Sequence, residues 1–190
     1  MVGFYARGEV KEELDRTVGI NERMYEVFML DVAGLSIIGL FDKANNNGIH
    51  VGMKFEVDHC WLTNCTGESK NIIGLLIPSY TVIQDEKFEP MTNLSVRVNG
   101  RYFKVEDFQE PKRVGPNHIM CMSGKLRVKN EIGELFNVPV VGMRKEAYLL
   151  AEAKDKSFYN ITGTLKHRTD RPKRFKIYVD SLEEAVKKEV

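Results

Sequence analysis

The segment Leu165–Lys176 (LKHRTDRPKRFK) holds six cations, Lys166, Arg168, Arg171, Lys173, Arg174 and Lys176, beside His167 and a single acid, Asp170. Cations packed this densely neutralise phosphates and release their counterions, so affinity falls as salt rises. Pro172 restricts the backbone between them and lowers the cost of ordering it. The alternative is a solvated hairpin whose charge only resists edge-to-edge aggregation.

A polyanion with bases also needs flat apolar faces, each worth ~1–3 kcal/mol when a base stacks on it. The candidates in the second half are Phe136, Tyr148, Phe158, Tyr159, Phe175 and Tyr178. Side chains alternate along a strand, so of the neighbours Phe158 and Tyr159 one faces the core and the other faces out. Phe175 and Ile177 share one face; Lys176 and Tyr178 share the other. Tyr159 and Tyr178 are the predicted outward rings, with Phe136 next. Arg101 and Tyr102, beside Phe103 and Lys104, form a second basic and aromatic patch. For any one of these rings, core packing is the competing role.

Other chemistry finds little support. Trp61, beside His59 and Cys60, is either a platform for a base or a core residue, and its acidic surroundings favour the core. His50, His59, Cys60 and Cys65 lack the CxxC or HxxxH spacing of a zinc site. No cofactor is expected. There is no GxSxG, no phosphate-cradling glycine loop and no HExxH, so the expectation is a binding protein and not an enzyme.

These side chains must be positioned by short strands, because the chain reads as β-rich runs broken by turn signals. Met24–Asp31, Leu35–Phe41, Met53–Leu62, Asn71–Ile77 and Tyr80–Ile83 follow an N-terminal run, enough for one small barrel. Asn99-Gly100 within LSVRVNGRYFKV predicts a hairpin, and Glu110–Asn117, with two prolines, predicts a linker. Ile119–Lys129, Glu134–Gly142, Ser157–Lys166 and Phe175–Val179 are further strands. Lys145–Ala153 has the composition of a short helix, and SLEEAVKKEV is expected to close as another. Charge divides the same way. Residues 1–90 carry eight basic against fourteen acidic side chains, and residues 91–190 carry twenty against thirteen. The second half is therefore the part expected to meet a polyanion. Three cysteines, an odd number, fit a reducing compartment better than a secreted disulfide framework. No apolar run approaches the ~20 residues needed to cross a bilayer. An intracellular location follows, in cytoplasm, nucleoid or nucleus.

From His118 to Ala185 the order of motifs resembles the OB domain of bacterial single-stranded DNA-binding proteins. Gly124-Lys125-Leu126 matches the end of that domain's first strand, and Phe136-Asn137-Val138-Pro139-Val140-Val141 matches a following strand. Ala151-Glu152 falls in its helix, Ile161-Thr162-Gly163-Thr164-Leu165 in the next strand, and a basic loop precedes the last one. Tyr25–Leu40 and Gly48–Met53 resemble, more loosely, an OB domain of the replication protein A type. An internal echo, Phe4–Val10 against Met120–Leu126, sets a glycine at the same relative place in each half. The resemblance implies that the basic loop overhangs a ligand groove.

The expectation is an all-β chain of two tandem OB-like five-stranded barrels with short helices. Residues 1–90 would form an acidic N-terminal domain, 91–117 a hairpin and linker, and 118–190 a basic C-terminal domain. The basic barrel would bind single-stranded DNA, or RNA, with little sequence preference, in replication, recombination or repair. The acidic one would dock a protein partner or a second copy. The rival reading is a tandem-OB adaptor subunit of a replication, telomere or transcription assembly with little nucleic-acid affinity of its own.

Overall fold

The computed structural model describes residues 3–20, 22–45, 48–65, 72–129, 133, 135–168 and 171–185, and at Asp15, Ile20, Arg168, Arg171, Pro172 and Lys173 the backbone only. Strands β1 (Phe4–Ile20), β2 (Arg23–Val32), β3 (Leu35–Asp42), β4 (Lys54–Asn64) and β5 (Ile73–Ile77) form a sheet in the order β1-β2-β3-β5-β4, and β1 also pairs with β4. The sheet thus closes into a five-stranded barrel, with a short edge strand, β6 (Thr81–Ile83), paired to β4. Phe28, Leu30 and Val32 point inward from β2. Between β2 and β3, Ala33 and Gly34 both have positive φ (55° and 72°), the two-residue turn whose twist matches a hairpin. The Asp31 side chain accepts a hydrogen bond from the Gly34 N–H at 3.1 Å and holds it. Inside, Phe41 meets Phe28 and Phe55 edge to face, each pair with ring centroids 5.6 Å apart.

The same topology recurs in β7 (Leu94–Lys104), β9 (Ile119–Lys129), β10 (Leu135–Met143), β11 (Phe158–Arg168) and β12 (Arg171–Glu184). The order is β10-β12-β11-β7-β9, closed by β10–β9, with β8 (Lys112–Val114) on the edge of β9. In both barrels the third and fifth strands run parallel and their other pairings are antiparallel. Helix α1 (Lys145–Glu152) follows the third strand of the second barrel, as predicted, and buries Ala147 and Leu150. Two tandem OB-like barrels are therefore the architecture. Among the described residues no helix is long and apolar enough to cross a membrane.

Four details differ from the sequence reading. Leu94–Lys104 is one unbroken strand, not a hairpin. Its alternation runs straight through Asn99-Gly100, with Leu94, Val96, Val98, Gly100 and Tyr102 inside. Gly100 serves a close approach there, since a Cβ would strike the Arg127 carbonyl. This strand is also the first of the second barrel, so Gly124-Lys125-Leu126 lies on the second strand. The segment Glu110–Asn117 contains β8. Finally, Ser181–Glu184 extends β12 and forms no helix; its cross-strand bond Thr162 Oγ1 to Ser181 Oγ is 2.6 Å long.

Candidate nucleic-acid interface

Outward residues on the second barrel form two basic and aromatic stations, one at each end of β11. The first is a row across three strands. Phe158 on β11 pairs with Arg101 on β7, which pairs with Arg127 on β9. The Arg101 guanidinium lies over the Phe158 ring, 5.0 Å from its centroid. One row further along, Lys129 pairs with Leu135. With Asn99 and Gly100 these side chains line a cavity of about 330 Å³, at the small end of pockets that take small molecules. Leu135 is 60% exposed, an apolar wall open to solvent.

The second station is on β11 and β12. Lys166 stands directly opposite Lys176, an arrangement that costs stability without an intervening anion or π face. Tyr178 supplies the π face: the two ammonium groups lie over its half-buried ring at 5.1 and 5.0 Å from the centroid. Between the stations the outward row of β11 is Asn160, Thr162 and Thr164, all polar. Eight residues of strand separate Phe158 from Lys166, about 27 Å at 3.4 Å each.

The predicted residues divide accordingly. Lys166, Arg174, Lys176 and Tyr178 face outward and are exposed or half-buried. His167 turns inward instead and stacks on the buried Phe175, centroids 4.7 Å apart. The side chains of Arg168, Arg171 and Lys173 lie outside the described residues. Arg101 is exposed, but at the other station. Three predicted stacking rings sit in the interior. Tyr159 is 4% exposed, and its hydroxyl accepts the Lys154 N–H at 2.8 Å. Tyr102 is fully buried and meets Tyr159 edge to face at 6.2 Å, and burial pushes its hydroxyl pKa well up. Phe136 fills the barrel between β9 and β12. Phe158 and Tyr159 do face opposite ways, as alternation requires, but Phe158 is the outward ring and Tyr159 the inward one. Lys166 and Lys176 also do not overhang the ring-lined cavity, because β11 carries them to its far end. Arg127, Lys129, Leu135 and Asn99 escaped notice. The signal for Arg127 and Lys129 was the alternation in KLRVK, where Leu126 and Val128 are inside and Lys125, Arg127 and Lys129 outside.

Trp61 is neither an exposed platform nor part of the barrel interior. It packs half-buried on an outer cluster of Tyr25, Val27, Leu40 and Leu76. Among the described residues no group of three or more His, Cys, Asp or Glu is placed to hold a metal ion.

The duplicated topology allows a position-by-position comparison. Gly8 and Gly100 mark the same place. Gly8 pairs with Val32 and Phe55, Gly100 with Val128 and Tyr159, and a Cβ at either would strike a carbonyl of the second strand. The echo read from Phe4–Val10 and Met120–Leu126 therefore aligned the wrong strand. With the glycines superimposed, Arg101 corresponds to Glu9, Arg127 to Asp31 and Phe158 to Lys54. The row that is cationic and aromatic in the second barrel is carboxylate-rich in the first. Asn99 and Asn160, where the Asn99 Nδ2 donates to the Asn160 Oδ1 at 2.8 Å, correspond to Arg7 and Glu56, joined by a 2.8 Å ion pair. Tyr5 also donates to Glu56 at 3.0 Å, and these bonds hold the Glu56 carboxyl below its usual range.

The fold and this surface define a tandem-OB protein with one basic, ring-bearing barrel. Among solved structures, the wild-type single-stranded DNA binding protein from Thermus aquaticus has the same overall fold. It is 12% identical and superposes with a TM-score of 0.66 over 100% of this chain and 95% of its own. A deletion mutant of that protein gives 0.67 at 13% identity, over 100% and 97%. No protein-family model matches the chain, and no curated protein sequence does.

Proposed function

We propose that the chain binds single-stranded nucleic acid, DNA in the first place, along the outer face of its second barrel. One observation carries this reading: corresponding positions hold Phe158, Arg101 and Arg127 in one barrel and Lys54, Glu9 and Asp31 in the other. Phosphates would lie against Arg101, Arg127 and Lys129 at one station and Lys166 and Lys176 at the other, with bases stacked on the outward rings. The likeness in fold to the Thermus aquaticus protein supports the same reading. A part in replication, recombination or repair follows from such binding, as a protein that coats strands and not as an enzyme. The first barrel, with its excess of acids, would repel the strand and remain available to a protein partner or a second copy.

The test is a fluorescence-anisotropy titration of labelled strands of ~30 nucleotides, matched in DNA and RNA, at two salt concentrations. Micromolar or tighter binding that weakens with salt is expected, with DNA bound at least as well as RNA. No binding at low salt overturns the proposal and leaves the adaptor reading. Tighter binding of folded RNA than of either strand would redirect it to structured RNA.

A further inference from the structure

A cleft of about 370 Å³ opens at the junction of the two barrels. Ser95 and Arg97 of β7 line it with Thr162 of β11 and Asp180 of β12, and Gly3 and Phe4 come from the first barrel. Arg97 pairs with Thr162, which is midway along β11 between Phe158 and Lys166, about 14 Å from either at 3.4 Å per residue. The cleft therefore lies between the two stations. Arg97 is exposed, and among the described residues it forms no ion pair, with Asp180 or with any other acid. Asp180 is a bulge: Thr162 pairs with Ser181 and Gly163 with Val179, which leaves it unpaired, and it lines the cleft. Bulges re-aim side chains and gather beside sites. Among the described residues no acid of the first barrel lines the cleft. Tyr5, which corresponds to Arg97, has its hydroxyl committed to Glu56.

We infer that this cleft is the passage by which one strand crosses from the first station to the second, with a phosphate held on Arg97. The inference rests on the single-strand reading above. At the spacing of a stacked strand, ~3.4 Å per phosphate, about four nucleotides lead from either station to Arg97. About eight nucleotides then span the track, within the ~4–16 that an OB fold takes. Pockets of ~300–1,000 Å³ hold ligands of drug size, so the cleft has room for one nucleotide of a single strand. Asp180 repels the same phosphate and keeps it against β7. Crossing the cleft lets one strand hold both stations at once, and simultaneous engagement multiplies affinity. The first barrel thus takes part in binding through the uncharged Gly3 and Phe4, while its acids stay clear of the strand.

The test is made on Arg97→Cys in the full chain, because the native cysteines are buried and a thiol reagent then reaches position 97 alone. Three adducts are compared: a small neutral methylthio group, a cationic aminoethylthio group, and the bulky neutral adduct of N-cyclohexylmaleimide. Anisotropy is read with a pyrimidine strand of ~12 nucleotides and with one of ~3, which fills a single station. With the methylthio group the salt slope for the longer strand should flatten by about 0.7, and the aminoethylthio group should restore it. The cyclohexyl adduct should weaken the longer strand at least ~tenfold beyond the methylthio adduct, because the strand can no longer hold both stations. It should leave the shorter strand unchanged. Equal binding of the longer strand by the small and bulky neutral adducts overturns the passage and leaves single-strand binding standing. An unchanged slope with the methylthio group, or equal weakening of both lengths by the bulky one, overturns it as well. No binding of either strand by the wild-type chain refutes the underlying proposal instead.

Discussion

Replacing Arg101 and Arg127 together with alanine tests the interface most directly, because its effect follows from counting charges. The two stations place five cations against phosphates: Arg101, Arg127, Lys129, Lys166 and Lys176. If each neutralises one phosphate, log K falls against log salt with a slope of about −0.7 per contact, or about −3.5 in all. Any further cation contact, such as one at Arg174 on β12, steepens the wild-type and variant slopes equally. Removing two contacts should flatten the slope by about 1.4, so between ~50 and ~200 mM salt the variant loses about sevenfold less affinity than the wild type. Both guanidinium groups are exposed, so the fold should be unaffected, which the urea midpoint checks. The assay is anisotropy at four or more salt concentrations with one strand length. An unchanged slope in a folded variant would mean that the strand does not cross this row. The charge comparison between the barrels would then say nothing about binding.

Two further outcomes concern the fold. Gly100→Ala brings a Cβ against the Arg127 carbonyl and the Leu126 side chain, and overpacking of this kind costs about 1–3 kcal/mol. The urea midpoint should fall by about 1 M, and an unshifted midpoint would show that β7 can move away from β9. Cys60 is buried, with its thiol donating to the Phe4 carbonyl at 3.2 Å, and burial raises its pKa well above the ordinary value. The folded state thus favours the protonated thiol, so stability should hold at neutral pH and decline as pH rises past about 8.5, the pKa in the unfolded chain. Iodoacetamide at mildly alkaline pH should leave Cys60 unlabelled until urea is added; labelling of the native chain would contradict its placement.

Strand positions and fold class were legible because they depend on local alternation and turn chemistry. LSIIGLF, MKFEVDHCWL and LFNVPVVG each form a strand close to where their patterns predict, and KEAYLLAE forms the helix. The assignment of strands to barrels was harder to read. Asn99-Gly100 has the composition of a hairpin turn, and only the carbonyl of Arg127, on a distant strand, explains why a glycine is needed in mid-strand. The candidate site suffered for the same reason. Alternation shows that Phe158 and Tyr159 face opposite ways but not which way is in, since that depends on which face of β11 the other strands of the barrel cover. A run of neighbouring cations such as 166–176 is conspicuous in sequence. The row Phe158–Arg101–Arg127 is assembled from three strands and is visible only in the folded chain.

The opposed charges of the two barrels give the molecule an electric dipole. A polyanion approaching from a distance would turn it before touching it, so that the basic end leads and the acidic end trails. Encounter rates, and not only equilibrium affinities, should then respond to ionic strength.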